Sequence, residues 1–146
     1  ALVNPNLCEK VDIAYTNRCY SSYAKSRQDE SLCPKASKIL TAHDSGESYE
    51  ESFCYVDIAK SKNDINICEN ISDIDIKEKN CYVHFAEKNN DLSICENKIK
   101  GSIGKDWCYE AIAYVRKNGE FCINIIDTYT KNKCLETVSR MMAVNP

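Results

Sequence analysis

Cysteine is the residue type in this sequence with the greatest capacity for chemistry. The chain has 10 cysteines and only 2 histidines among 146 residues. An even, high count of cysteines in a short chain is typical of a disulfide framework formed in an oxidising compartment. No two cysteines have the C-x-x-C spacing of zinc, iron–sulfur or haem sites, so we expect structural disulfides, no metal and no cofactor. The cysteines are Cys8, Cys19, Cys33, Cys54, Cys68, Cys81, Cys95, Cys108, Cys122 and Cys134.

The spacing of the cysteines indicates a repeat. When they are counted in pairs, the interval from the second cysteine of one pair to the first of the next is 14 residues in all four cases, whereas the other intervals range from 11 to 21. Fixed spacing that alternates with variable spacing is typical of tandem repeats. We therefore interpret residues 1–146 as a single repeat domain of five units, at approximately 4–28, 29–63, 64–90, 91–117 and 118–146.

The second cysteine of each unit is predicted to lie in an amphipathic helix, called helix B. Apolar or aromatic residues follow this cysteine one and four positions later, and a small residue follows five positions later. These positions share one helix face, which we expect to be buried. Capping boxes are expected for Ser48 with Glu51 and for Asp75 with Glu78. The expected N-cap residues of helix B are Ser48, Asp75, Ser102 and Thr128.

A shorter helix A is predicted around the first cysteine of each unit. In the first unit Asn4 and Pro5 supply the start signal. In the other units the N-cap residues are Asp29, Asp64, Asp91 and Asn118. The residues expected to be buried just before the cysteine are Leu7, Leu32, Ile67, Ile94 and Phe121. Each unit is then a helical hairpin, and the fold class is all-α, with five hairpins in a short solenoid-like array.

Helix geometry favours a disulfide inside each hairpin. In the fourth unit, Cys95 lies about 7.5 Å from the end of helix A and Cys108 about 9 Å from the start of helix B, so the two face each other. A bond from Cys81 to Cys95 would join residues about 13 Å and about 6 Å from their connecting turn, although disulfide Cα atoms must come within about 7 Å. The predicted disulfides are Cys8–Cys19, Cys33–Cys54, Cys68–Cys81, Cys95–Cys108 and Cys122–Cys134.

Several runs of residues resemble a known kind of repeat. The runs Asn4-Pro5-Asn6-Leu7-Cys8, Cys81-Tyr82 with Ala86, and Asp91-Leu92-Ser93-Ile94-Cys95-Glu96 look like a Cys-rich α-helical hairpin repeat. Such repeats occur in uncharacterised secreted or surface proteins of archaea and bacteria. The resemblance covers nearly the whole chain and implies an extracellular setting, but it implies no catalytic residue.

The histidines are interpreted as structural. His43 stands in a predicted long turn beside Asp44 and Ser45. A catalytic triad there would need a preorganised pocket and oxyanion donors, which a solvated turn does not offer. His84 is expected at a helix margin. We therefore predict that the protein is not an enzyme.

Two further residues carry interpretations of their own. Trp107 precedes Cys108 and is interpreted as a packing residue between neighbouring hairpins, with an anchor for a binding partner as the alternative. Asn70 opens the sequon Asn70-Ile71-Ser72, which makes it a candidate N-glycosylation site.

Charge and hydropathy exclude some classes of partner. Lys plus Arg total 19 against 22 Asp plus Glu, for a net charge of −3, so no basic excess indicates nucleic acid, although a local basic patch remains open. No apolar run approaches the roughly 18 residues of a membrane span. Ala1 is typical of a chain from which a signal peptide has been removed. The expected location is extracellular or at the cell surface.

The sequence favours a structural role over catalysis. We expect a secreted, disulfide-rich structural protein that assembles head to tail with itself into an extracellular filament or surface layer. The end of the chain is apolar, and Asn145-Pro146 repeats the helix-start signal Asn4-Pro5. The candidate interface residues are Ala1, Leu2, Val3, Met141, Met142, Val144 and Pro146. The alternative is a secreted helical-repeat module that binds a protein or glycan.

Overall fold

The computed structural model describes residues 5–37 and 49–144, and all regular elements within these ranges are helical. The predicted all-α class is confirmed. Odd-numbered helices correspond to helix A of the successive units and even-numbered helices to helix B. The helices are α1 (Pro5–Lys10), α2 (Ile13–Arg27), α3 (Glu30–Ser37), α4 (Tyr49–Lys62), α5 (Ile65–Asn70), α6 (Ile74–Ile76, Lys77–Tyr82 and Val83–Asn89), α7 (Leu92–Asn97), α8 (Ser102–Arg116), α9 (Gly119–Asn124) and α10 (Thr128–Val144).

Four of the five helices A begin at their predicted N-cap residues, and the predicted start residue of the first, Asn4, lies outside the described residues. The side chains of Asp64, Asp91 and Asn118 each accept a hydrogen bond, at 2.9 Å, from the backbone N–H two residues later. Asp29 does the same with Ser31 at 3.1 Å. Four of the five helices A are 3₁₀-helices, and only α7 is α-helical. These 3₁₀-helices have six to eight residues and are thus longer than most helices of this kind.

The starts of the helices B differ from the sequence prediction. Asp73, not Asp75, caps α6, since its carboxylate accepts the N–H of Ile76 at 3.0 Å. Asp127 accepts the N–H of Thr130 at 2.7 Å, one residue before the predicted cap. Gly101 precedes α8 without a side-chain cap, which places Ser102 inside the helix. Asp73 and Gly101 have the extended backbone that an N-cap residue requires. The N-caps of α6 and α8 therefore precede the predicted residues Asp75 and Ser102. The predicted cap Ser48 lies outside the described residues.

The helices B end in a left-handed residue that the sequence analysis missed. This residue stands nine positions after the cysteine of helix B in four units. The residue after it donates its N–H to the carbonyl of the buried alanine, as Asp91 does to Ala86 at 2.9 Å. This bond is that of a Schellman motif, in which glycine is the favoured left-handed residue. The four residues are Gln28 (φ 53°), Asn63 (55°), Asn90 (52°) and Lys117 (48°).

A glycine at the last of these positions should stabilise the protein. Lys117 has a φ of 48°, which costs free energy for a residue with a Cβ. We expect Lys117→Gly to raise the free energy of unfolding by about 0.5–1 kcal/mol. Denaturant unfolding measures the change. Lys117→Ala is the control, because it removes the same side chain and keeps the strain; equal stabilities of the two variants would contradict the prediction.

The disulfides have the predicted pairing. Cys8–Cys19, Cys33–Cys54, Cys95–Cys108 and Cys122–Cys134 are all formed, with Cα–Cα distances of 5.5–5.8 Å. Cys68 and Cys81 are the remaining two cysteines, and both are disulfide-bonded. All ten cysteines lie in the described ranges, and none is free.

The chain divides into two compact units, Ala1–Lys77 and Glu78–Pro146. In the first, α3 packs against both α2 and α4. In the second, α7 packs against α6 and α8, and α9 packs against α8 and α10. Each of these helices A therefore contacts the helix B of its own hairpin and that of the preceding hairpin.

In the first four repeats the predicted stripe of helix B is buried except at Cys19, Tyr23 and Tyr109, which are half-buried. Four of the residues five positions after the cysteine are fully buried: Ala24, Ala59, Ala86 and Ala113. The last repeat instead exposes Ser139. A second buried position, three or four residues after the cysteine of helix A, was not predicted from the sequence. Its side chain fills the hairpin core next to the turn. Its residues are Ala36, Ile71, Ile99 and Ile125.

The first helix departs from this pattern. Leu7 was predicted to be buried, but 48% of it is exposed. Val11, at the position of the buried Ile71 and Ile125, is 41% exposed. The reason is that α1 packs against α2, and the described residues contain no earlier helix B to cover its other face.

Candidate functional site

Two buried carboxylates join successive hairpins of the second compact unit. The Oε1 atom of Glu78 accepts the backbone N–H groups of Lys100 and Gly101, at 2.7 and 3.1 Å. In the next repeat, Asp106 accepts the N–H groups of Ile126 and Asp127, at 2.8 and 3.0 Å. Both acids are almost fully buried. We call each arrangement a carboxylate clasp: an acid of one helix B binds two adjacent amides in the turn before the next helix B.

The two clasps occupy the same structural position at different sequence spacings. Asp106 stands two residues before Cys108, whereas Glu78 stands three residues before Cys81. The segment Lys77–Tyr82 is π-helical and so accommodates one extra residue. The capping box predicted for Asp75 with Glu78 is wrong, because the Glu78 side chain accepts hydrogen bonds from the backbone N–H groups of Lys100 and Gly101. The signal available in the sequence was a polar residue near this position in every repeat.

Two glycines make room for the Glu78 carboxylate. A Cβ at Gly104 would lie 2.6 Å from Glu78 Oε2 and 2.9 Å from the side chain of Ile99. A Cβ at Gly101 would lie 2.7 Å from the same oxygen. Both glycines therefore serve close packing against the clasp, since neither has a positive φ.

In the last repeat, the corresponding positions face solvent. Asn132 is exposed at the position that Asp106 has in the preceding repeat. Leu135 is exposed at the position where Tyr55 and Tyr82 are buried. These residues belong to one face of α10, which we call the α10 face. A shallow groove on it is lined by Tyr129, Asn132, Lys133, Glu136, Thr137 and Arg140.

The predicted interface residues are only partly described. Ala1, Leu2, Val3 and Pro146 lie outside the described residues, as does the side chain of Val144. Met142 is 49% exposed on α10, and Met141 is half-buried. The structure therefore shows one apolar residue of this set on the surface, and the predicted interface stays a prediction.

The remaining candidate residues are placed as follows. His43 lies outside the described residues, and His84 is half-buried with its ring edge-on to Phe85, 5.5 Å between centroids. Asn70 and Ser72 are both exposed, so the sequon is accessible, and its glycan stays a prediction. Trp107 is 49% exposed, so it does not fill a gap between hairpins as predicted. The ammonium group of Lys79 lies over its ring, 5.7 Å from the centroid.

In the first compact unit, an ion pair between Lys62 and Glu30 links α4 to α3. A polar pocket beside α3 and α4 includes Glu30, Tyr55 and Lys62. The hydrogen bond from the Lys62 ammonium lowers the pKa of Glu30, and burial raises the pKa of Tyr55. At neutral pH the pocket therefore presents an ionised, paired carboxylate and a protonated phenol. Within residues 5–37 and 49–144, no three His, Cys, Asp or Glu side chains are grouped so as to hold a metal ion.

Neither length nor hydropathy allows any helix in the described part of the chain to cross a membrane. The chain matches no protein-family model, no curated protein and no solved structure.

Proposed function

We propose that this disulfide-rich helical protein is secreted and that its copies assemble head to tail into an extracellular filament or surface layer. The five disulfides support export, because such bonds persist in oxidising compartments and are rare in the cytosol. The observation that supports assembly is that repeat positions buried within the compact units are exposed on α1 and α10, the first and last helices of the described residues.

The exposed surfaces of α1 and α10 both carry apolar side chains that could pack against each other. Inside each compact unit, helix A of one repeat covers helix B of the repeat before it. The first helix, α1, exposes Leu7 and Val11, and the α10 face exposes Leu135. If α1 of a second copy covers α10, these three apolar side chains become buried in the manner of the internal repeats.

The position of the carboxylate clasp supports the same alignment of α1 of one copy on α10 of another. In the second compact unit, the backbone N–H groups of Ile126 and Asp127 bind the Asp106 carboxylate. The corresponding turn of the first repeat is Val11–Asp12, and the corresponding acceptor of the last repeat is Asn132. A contact between α10 of one copy and α1 of the next uses different surfaces on the two partners. Such a heterologous contact propagates as an open filament when the rotation between successive copies does not close a ring.

The α10 face is more polar than the internal interfaces it resembles. Arg140 stands where α8 has Tyr114, and Ser139 stands where α8 has the buried Ala113. Small and polar interfaces give weak association. Assembly is therefore expected to depend on a high local concentration.

Two single-ended variants test the head-to-tail contact. Val11→Asp removes the α1 end and keeps the α10 face, whereas Leu135→Asp does the reverse. By light scattering over a range of concentrations, the unchanged protein should grow in mass with concentration, and each variant alone should stay monomeric. A mixture of the two should form dimers and nothing larger, because one competent end of each kind remains.

The control is Val115→Ser, a change at an exposed residue of α8, which should assemble like the unchanged protein. A protein that stays monomeric at every concentration, or a mixture of variants that forms no dimer, would refute the head-to-tail contact.

A further inference from the structure

A second exposed surface lies at one end of the second compact unit, where α8 and α10 begin. Ile103, Trp107, Ile123 and Ile126 are 59%, 49%, 64% and 71% exposed. We call these four residues the apolar tip. None of them belongs to the α10 face or to α1, so this surface is independent of the proposed assembly contact.

The residues of the apolar tip are neighbours. Ile103 and Trp107 are four residues apart on α8 and therefore share a helix face. The backbone N–H of Ile126 is bound to Asp106, the residue next to Trp107, at 2.8 Å. Ile123 lies in the last turn of α9, three residues before Ile126. The clasp thus holds the turn of the last hairpin beside the start of α8.

The charges around the apolar tip are mainly positive. The lysines near it are Lys79, whose ammonium lies 5.7 Å from the Trp107 ring centroid, Lys100 in the turn before α8, Lys105 in the first turn of α8 and Lys131 in the first turn of α10. Two of the acids at this end, Glu78 and Asp106, are buried and bound to backbone amides, whereas Glu96 and Asp127 are exposed.

We propose that the apolar tip docks onto the surface of an anionic lipid bilayer. The isoleucines and Trp107 enter the boundary between headgroups and acyl chains, where tryptophan is favoured because its ring is apolar and its N–H is polar. The lysines contact the lipid phosphates and carboxylates, and their stems cover apolar surface while their ammonium groups stay in water. The protein is thereby held on a membrane without spanning it.

Charge complementarity and exposed apolar residues together favour a bilayer over an acidic polymer. A polyanion would bind the lysines but would leave three isoleucines and a tryptophan in water. A lipid surface satisfies both sets of residues, since burial of apolar area and attraction to anionic headgroups add in interfacial binding.

Tryptophan fluorescence tests the proposal directly, because Trp107 is the only tryptophan of the chain. We expect a blue shift of its emission, and quenching by brominated acyl chains, with vesicles of phosphatidylcholine mixed with phosphatidylserine. Vesicles of phosphatidylcholine alone should give little change, and high salt should reverse the effect. An absence of shift with the anionic vesicles would overturn the proposal, as would binding to polyglutamate without any binding to vesicles.

Variants locate the contact. Ile103→Ser combined with Ile126→Ser should weaken partitioning into the anionic vesicles by about tenfold or more, and so should Lys100→Gln combined with Lys105→Gln and Lys131→Gln. Val115→Ser, at an exposed residue near the other end of α8, should bind like the unchanged protein. The far-ultraviolet circular dichroism of all variants verifies their folding. Equal losses in the Val115 control would refute the assignment to the apolar tip.

Discussion

Reduction of the disulfides should unfold this protein at temperatures at which the oxidised form remains helical. The disulfides join cysteines 11 to 21 residues apart. Each loop of this size is worth about 3 kcal/mol in the chain-entropy model. Five such bonds together match or exceed the roughly 5–15 kcal/mol by which ordinary domains are stable. The repeats have thin cores, so packing alone does not replace this contribution.

Thermal melts followed by circular dichroism, with and without a phosphine reductant, measure the effect. The midpoint in reductant should fall far below that of the oxidised protein. A variant that replaces both Cys122 and Cys134 by alanine should melt between the two, because it loses only one bond. If the reduced and oxidised midpoints coincide, the disulfides are not the main source of stability.

Loss of a carboxylate clasp should cost more than loss of any surface ion pair. In Asp106→Ala, the N–H groups of Ile126 and Asp127 lose a charged acceptor, and hydrogen bonds to charged groups contribute about 1.5–3 kcal/mol each. We expect a loss of about 3 kcal/mol in the free energy of unfolding, since water re-solvates part of the exposed turn. Asp106→Asn should be intermediate because the amide keeps one acceptor oxygen.

Denaturant unfolding gives the free energies, and hydrogen exchange gives a local readout. In Asp106→Ala, the amides of Ile126 and Asp127 should exchange much faster, while those in the middle of α8 should change little. Glu136→Ala is the control: its ion pair with Arg140 is exposed and spaced i, i+4, so its removal should cost about 0.5 kcal/mol or less. The clasp would have no special role if the Asp106 and Glu136 variants were equally stable.

The sequence by itself determined the hairpins. The alternating intervals between cysteines located the repeats, and the apolar residues after each second cysteine located helix B. Asp64, Asp91 and Asn118 located the starts of the helices A, since an N-cap bond reaches only two or three residues along the chain. The disulfide pairing followed from helix rise alone. All of these features depend on residues close in sequence or on the geometry of one hairpin.

Tertiary structure decided how one repeat binds the next. Glu78 binds the backbone of Lys100 and Gly101, 22 and 23 residues later. Because Lys77–Tyr82 is π-helical, Glu78 stands three residues before its cysteine, whereas Asp106 stands two residues before its own. A local reading therefore placed Glu78 in a capping box. The same limit explains Leu7: its sequence pattern is that of Ile67 and Ile94, and it is 48% exposed because, among the described residues, no second helix packs against the outer face of α1. Burial depends on the partner that packs against a residue, which local sequence does not specify.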